Sequence, residues 1–170
     1  GLTREGMDAF AIESLTRAQR AIDDGLNQKE IAPVTIRTRR GEHTVSIDEQ
    51  PHKANLEKIP QLRPAFAENG TITPANSSSI SDGASALLLA SEQAVETHGL
   101  TARARIVAYS RNSLAPEAFT LAPIGAAEDV LAKAGWTVSD VDLWEINEAF
   151  AMVTMLTMDA LKLDPSCVNV

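Results

Sequence analysis

Asp142-Leu143-Trp144-Glu145-Ile146-Asn147-Glu148-Ala149-Phe150 is the stretch on which the reading of the fold turns. Its first five residues make a short run suited to a strand. The period then changes: Phe150, Ala151, Val153, Leu156, Ala160 and Leu161 recur at helical spacing, and Asn147 carries a side chain favoured at a helix N-cap. Val168-Asn169-Val170 beyond that helix reads as the opening of another strand. A strand passing into a helix and then into a second strand is a βαβ unit, whose two strands run parallel.

The same alternation extends upstream. Pro123 sits where a helix begins, Ala126, Ala127, Val130, Leu131 and Ala134 form its apolar stripe, and Gly135 stops it. Arg105-Ile106-Val107-Ala108-Tyr109 reads as a strand. The continuous run Ala84-Ser85-Ala86-Leu87-Leu88-Leu89-Ala90 suits a strand covered on both faces, followed by a short helix capped by Ser91 and ending at His98-Gly99. From residue 80 onward the expected order is therefore β, α, β, α, β, α, β, an α/β architecture with a largely parallel sheet.

The first section is organised differently. Thr3 can cap a helix with Met7, Phe10, Ala11, Leu15, Ala18 and Ile22 on one face, ended by Gly25. Val34-Thr35-Ile36-Arg37-Thr38-Arg39 and Thr44-Val45-Ser46-Ile47, separated by Arg40-Gly41-Glu42, read as a hairpin. Residues 50–76 contain Pro51, Pro60, Pro64 and Pro74 and predict irregular chain with at most one short helix. This section has the character of an excursion from a core.

Composition narrows the class. The chain has 170 residues, 44% of them hydrophobic, with a net charge of −8. That is globular, not low-complexity, and no apolar run reaches the ~18–20 residues a membrane span needs. A soluble, cytoplasmic protein is expected. Residues 1–70 hold ten Lys/Arg against eleven Asp/Glu, and residues 71–170 hold five against twelve. The acidic second part argues against nucleic acid and against an anionic membrane as partners. The bases of the first part gather at Arg37, Arg39, Arg40, Lys53, Lys58 and Arg63, which fits either a solvated face or a surface for a phosphorylated ligand. The chain opens just ahead of the Thr3 cap and closes as a strand begins, which reads as a piece cut from a longer protein.

Few residues offer chemistry by pattern alone. Asn147 lies at the carboxyl end of a strand, where open α/β sheets place ligands, yet an N-cap is an equally good account of it. Pro74-Ala75-Asn76-Ser77-Ser78-Ser79 is either a turn or a loop of small hydroxyl residues that a slender ligand can approach closely. The single cysteine, Cys167, has no basic neighbour and reads as a structural thiol. His43, His52 and His98 have no partner at a motif spacing, and no P-loop, Gly-x-Gly-x-x-Gly or metal-ligand cluster occurs.

Four ordered stretches together resemble the thiolase family, the acetyl-CoA C-acyltransferases. They are Leu62-Arg63-Pro64-Ala65-Phe66; Gly70-Thr71-Ile72-Thr73-Pro74-Ala75-Asn76-Ser77-Ser78 with Asp82-Gly83-Ala84; Ala134-Gly135-Trp136; and Asn147-Glu148-Ala149-Phe150 with Pro165-Ser166-Cys167-Val168-Asn169-Val170. The resemblance covers essentially the whole chain. It implies part of a duplicated five-layer αβαβα fold. Residues 1–80 would be the later part of the loop domain that covers coenzyme A, 81–102 the last strand and helix of the N-terminal half, and 103–170 the opening of the C-terminal half.

The implied chemistry is acyl transfer between coenzyme A thioesters, either condensation of two acetyl-CoA or thiolytic cleavage of a 3-ketoacyl-CoA. Asn147 matches the family asparagine that orients an oxyanion-hole water. Lys53, Asn55 and Lys58 match positions near the nucleotide of coenzyme A, Leu62, Phe66, Pro74 and Ser78 would lie along its adenine and pantetheine, and Phe150 matches a residue packed beside the pantetheine and acyl pocket. The nucleophilic cysteine, the histidine of a Gly-His-Pro motif and the second cysteine match nothing in these 170 residues. The resemblance therefore implies a parent enzyme, of which this chain alone is inactive. The resemblance further implies coenzyme A and acyl-CoA as the substrates, no separate cofactor or metal, and a parent that is a homodimer or homotetramer. The other readings are a thiolase-like acyl-CoA or lipid-binding protein without catalysis, and a structural piece whose coenzyme A surface is incomplete.

Overall fold

Thr3 starts the longest element. In the computed structural model, which describes residues 1–170, its hydroxyl accepts a hydrogen bond from Gly6 N at 3.1 Å, and α1 runs Arg4–Asp23. Beyond it come a hairpin of β1 (Val34–Thr38) and β2 (Gly41–Val45), the short α2 (Gln50–Lys53), α3 (Glu92–His98), α4 (Ala122–Ala134) and α5 (Ala151–Leu161). Short 3-10 helical turns, of one or two turns each, fall at Leu56–Gln61, Pro116–Leu121, Val138–Asp140 and Pro165–Cys167.

The expected helix ends are largely where the caps put them. Ser91 Oγ accepts from Ala94 N at 3.2 Å, and α4 takes Pro123 in its first turn. Gly99 and Gly135 close α3 and α4 with φ of +59° and +70°, a left-handed conformation that a Cβ would penalise.

Packing forms two groups joined through α5. α1 packs against α2, the 56–61 turn and α5, while α4 and the 116–121 turn pack against each other and also against α5. Met7, Ala11, Ile59, Ala151, Val153, Leu163 and Val168 supply the main core, and Leu131 anchors α4. Only 14 of 170 residues are buried, a small core for this length.

The exposed remainder explains the main departure from expectation. Residues 84–90 and 105–109, expected as strands, take part in no sheet, and their backbones make no backbone–backbone hydrogen bond. Leu87 and Leu88 are 91% and 86% exposed. A helix satisfies its own N–H and C=O groups, whereas a strand needs a neighbour, and the chain lays none beside these segments. The one parallel contact of the expected kind is a bridge between Trp144 and Val168, with Trp144 N donating to Cys167 O and Asn169 N to Trp144 O, each at 2.8 Å.

Three boundaries also shift. β2 begins at Gly41, not Thr44, because Thr38 Oγ1 closes a two-residue turn by accepting from Arg40 N and donating to Gly41 O; Glu42 then faces Arg37 across the strands at 2.8 Å. The proline-rich stretch holds two helical pieces instead of at most one, with Pro51 in the first turn of α2 and Pro60 inside the 3-10 turn. Asn147 caps nothing: α5 starts at Ala151 after an extended Phe150 at φ −142°, ψ 150°. The cause is a competing pairing. Ser78 N donates to Ala149 O and Ala151 N to Asn76 O, both at 3.0 Å, so the backbone through residue 151 is held against the serine loop before it can coil.

Candidate functional site

That pairing creates the site. Residues 76–78 and 149–151 run antiparallel through a Ser77–Phe150 bridge, and Ser78 Oγ adds a bond to Glu148 O at 2.8 Å. The serine loop and the Asn147 turn, about seventy residues apart in sequence, are thus one unit.

A second set of bonds holds the turn from the other side. Asn169 stands at φ +50°, a region asparagine tolerates better than other side chains. Its Oδ1 accepts from Ile146 N and its Nδ2 donates to Ile146 O, both at 2.8 Å, and the same Nδ2 donates to Glu148 Oε1 at 2.7 Å. The Ile146 N–H fixes which end of the amide is oxygen. Glu148 Oε2 accepts from Ser14 Oγ of α1 at 2.6 Å. Asn147 lies between these two anchored neighbours. It is exposed, and its side-chain amide makes no hydrogen bond within the chain.

Beside this unit opens a cleft of about 740 Å³ between α1, the proline-rich stretch and the serine loop. Five of the expected ligand residues line it: Asn55, Lys58, Leu62, Pro74 and Ser78, with Glu148 and Ala151 at the end nearest the Asn147 turn. Its volume suits a sizeable ligand. The others lie elsewhere. Lys53 pairs with Glu49 on the outer face, and that hydrogen bond, with the ammonium charge, holds the Glu49 carboxyl below its usual range. Phe66 is 77% exposed on the following turn. Phe150 turns away and packs edge-to-face on Phe119, ring centres 6.1 Å apart. Cys167 Sγ donates to Asp164 O at 3.0 Å, and neither it nor the histidines lines the cleft.

A partly buried ion pair ties the cleft wall to α1. Arg4 Nε donates to Asp8 Oδ2 at 2.7 Å, and Arg4 Nη2 reaches the carbonyls of Leu62 at 2.9 Å and Ile59 at 3.2 Å. Asp8 Oδ1 accepts from Asn76 Nδ2 at 3.3 Å, while Asn76 also binds Thr71 O and Thr73 N. Sequence reasoning missed Arg4, Asp8, Ser14 and Asn169. The signal for two of them was present: Ser14 lies within the helix face of Phe10, Ala11 and Ala18, and Asp8 borders the same apolar stripe, three residues before Ala11 and seven before Leu15.

Family models agree with this architecture. The thiolase N-terminal domain matches residues 1–93 and the thiolase C-terminal domain residues 100–170. An acetyl-CoA acetyltransferase of Yarrowia lipolytica is 46% identical over 170 residues, covering 100% of this chain and 43% of its own length. A mitochondrial 3-ketoacyl-CoA thiolase of Bos taurus is 40% identical over 99% of the chain and 43% of its own length. A cytosolic acetyl-CoA acetyltransferase of Mus musculus is 42% identical, again over 99% and 43%. Among solved structures, the Bacillus anthracis acetyl-CoA acetyltransferase superposes with a TM-score of 0.94 at 40% identity, covering 99% of this chain and 43% of that one. Human mitochondrial 3-ketoacyl-CoA thiolase in complex with CoA gives 0.90 at 38%, covering 99% and 42%. The fold is thus a partial thiolase fold, and the chain spans a little over two fifths of the length of these relatives.

Proposed function

The chain belongs to the thiolase family, and from that premise we propose that it is the central part of an acetyl-CoA C-acyltransferase, carrying most of the coenzyme A cleft and one element of the oxyanion hole. In this reading residues 1–80 are the later part of the loop domain, 81–102 close the N-terminal half and 103–170 open the C-terminal half. The bare segments 84–90 and 105–109 pair, in the complete protein, with strands from outside these 170 residues. The enzyme is a cytoplasmic homodimer or homotetramer.

The observation that carries the reading is the seam between residues 76–78 and 149–151. It sets the Asn147 turn against the end of a cleft lined by Asn55, Lys58, Leu62, Pro74 and Ser78. Lys58 meets the phosphates, Leu62 and Pro74 flank the apolar stem, and the thioester reaches the Asn147 turn. There the Asn147 amide, which has no partner within the chain, holds a water that donates to the thioester oxygen as it gains negative charge. A donor so placed is worth about 2.7–4 kcal/mol in comparable sites. In the condensation, the second cysteine of the family pattern takes the α-proton of one acyl-CoA, and the resulting carbanion forms the new C–C bond to the acyl carbonyl carbon of the acyl-enzyme as its C–S bond breaks and releases the nucleophilic cysteine as thiolate. Neither that thiol nor the Gly-His-Pro histidine matches a residue of this chain, and the chain alone turns over no substrate.

The test uses the complete enzyme containing this segment. Asn147→Ala is expected to lower kcat for acetoacetyl-CoA thiolysis by about 100-fold with little change in the KM for coenzyme A. Ser78→Ala is expected to raise that KM with a modest loss of kcat. Unchanged kinetics in both variants would overturn the assignment.

A further inference from the structure

Asn147 has no side-chain bond of its own, so its orientation rests on the backbone either side of it. One side chain anchors both flanks: Asn169 binds the Ile146 backbone with its amide oxygen and nitrogen and passes its second N–H to Glu148 Oε1 at 2.7 Å. The other carboxylate oxygen of Glu148 takes the Ser14 hydroxyl at 2.6 Å, and its backbone carbonyl takes the Ser78 hydroxyl at 2.8 Å. Glu148 therefore joins α1, the serine loop and the segment after α5 at the residue next to Asn147. Both carboxylate oxygens are engaged by converging donors in a half-buried setting, where charge-assisted bonds are short and directional. A residue whose only task was to favour the start of α5 through the helix dipole would need none of these partners, and α5 begins three residues later.

We propose that Glu148 is a positioning residue for the reaction: through Ser14 and Asn169 it fixes the turn on which Asn147 presents its amide. This rests on the catalytic reading of Asn147 given above. Glu148 touches no reacting atom, and its contribution passes wholly through Asn147.

The experiment is a double-mutant cycle in the complete enzyme, with Asn147→Ala, Glu148→Ala and the double variant, each checked for thermal stability. Glu148→Ala is expected to lower kcat at least tenfold while the KM for coenzyme A changes less than twofold. The double variant is expected to be no slower than Asn147→Ala alone, because a residue acting through Asn147 has nothing left to position once the amide is gone. Glu148→Gln is expected to recover most of the rate, since its amide oxygen accepts from Asn169 and its amide N–H donates to Ser14 Oγ. Losses that multiply in the double variant, or a Glu148→Ala kcat equal to wild type beside a slow Asn147→Ala, would overturn the proposal and leave the function standing. An Asn147→Ala enzyme with normal kcat would overturn the function instead. If Glu148→Ala does not fold, Ser14→Ala takes its place in the cycle: a several-fold loss of kcat that disappears in the Asn147→Ala background is expected, and a multiplying loss or no loss overturns the proposal.

Discussion

Asn169 pairs with Ile146 as a neighbouring strand would, but with its side chain: Ile146 N–H donates to Asn169 Oδ1 and Asn169 Nδ2 donates to Ile146 O, both at 2.8 Å. The backbone bridge between Trp144 and Val168 stops one residue earlier, and the amide extends it past the point where the main chain, at φ +50°, has turned aside. Two effects are separable here. Asn169→Ala loses three hydrogen bonds, worth about 1 kcal/mol each, and keeps a Cβ in the left-handed region without the polar side chain that eases it there, a strain of about 1–2 kcal/mol relative to glycine. Asn169→Gly loses the same bonds and keeps the conformation. In the complete protein the alanine variant is expected to be less stable than the glycine variant by about 1 kcal/mol in denaturant unfolding. Equal stabilities would mean that backbone conformation contributes nothing at this position.

Lys58 and Lys53 separate by geometry what sequence grouped together. Lys58 lines the cleft and makes no ion pair within the chain, whereas Lys53 is engaged by Glu49 on the outer face. Lys58→Ala is expected to weaken coenzyme A binding about fivefold, the scale of one exposed charge contact near 1 kcal/mol, and Lys53→Ala less than twofold. The Lys58 effect should shrink at high salt. Isothermal titration at two ionic strengths checks both, and equal losses for the two lysines would contradict this placement of the cleft.

Two carboxylates should report their caps by titration. Asp164 is held below the usual aspartate range by Ser166, first through its backbone N–H at 2.8 Å, and Asp140 by Thr137, whose hydroxyl contributes more than its backbone N–H. With the folded-state values depressed, each cap is fully present above the ordinary aspartate pKa and is lost as pH falls through the lowered one. Carbon-13 titration of the side-chain carboxyls should place both midpoints below the normal value. Thr137→Val should move Asp140 back toward it while Asp164 stays put. A normal Asp140 midpoint before substitution would show that its cap does not form in solution.

The legible part of the molecule was the part that satisfies itself locally. α1, α3 and α4 declared themselves by Thr3, Ser91, Pro123 and Gly135 because a helix makes its own backbone bonds and needs only its ends closed. The run 84–90 declared a buried strand with equal force and is exposed here, because burial of a strand is a property of its neighbours. At the site, Asn147 and Ser78 were readable from a motif, but their union was not: the seam that joins them competes with the first turn of α5, and no local rule predicts which wins. Asn169 was invisible as a brace, since both its partners lie more than twenty residues away.

Asp8 offers the sharpest separation of binding from turnover. Its carboxylate is 6% exposed, bonded on one oxygen to Arg4 and on the other to Asn76, and Arg4 in turn grips the carbonyls of Ile59 and Leu62, whose residues line the cleft. Removing one partner of such a pair leaves a charge without compensation, at about 3–5 kcal/mol for full burial. Arg4 retains some exposure and its two carbonyl bonds, so Asp8→Ala should fall at the lower end, about 3 kcal/mol, in denaturant unfolding of the complete protein. The paired replacement Arg4→Met with Asp8→Leu should be less damaging than Asp8→Ala, since no charge is then stranded. Kinetically, freeing Arg4 from Asp8 loosens the Ile59 and Leu62 wall while leaving the Asn169 and Glu148 bonds around Asn147 intact. The KM for coenzyme A should therefore rise several-fold with kcat within twofold of wild type, the opposite of the pattern expected for Asn147→Ala. A fall in kcat at constant KM would show that the ion pair supports the Asn147 turn and not the cleft wall.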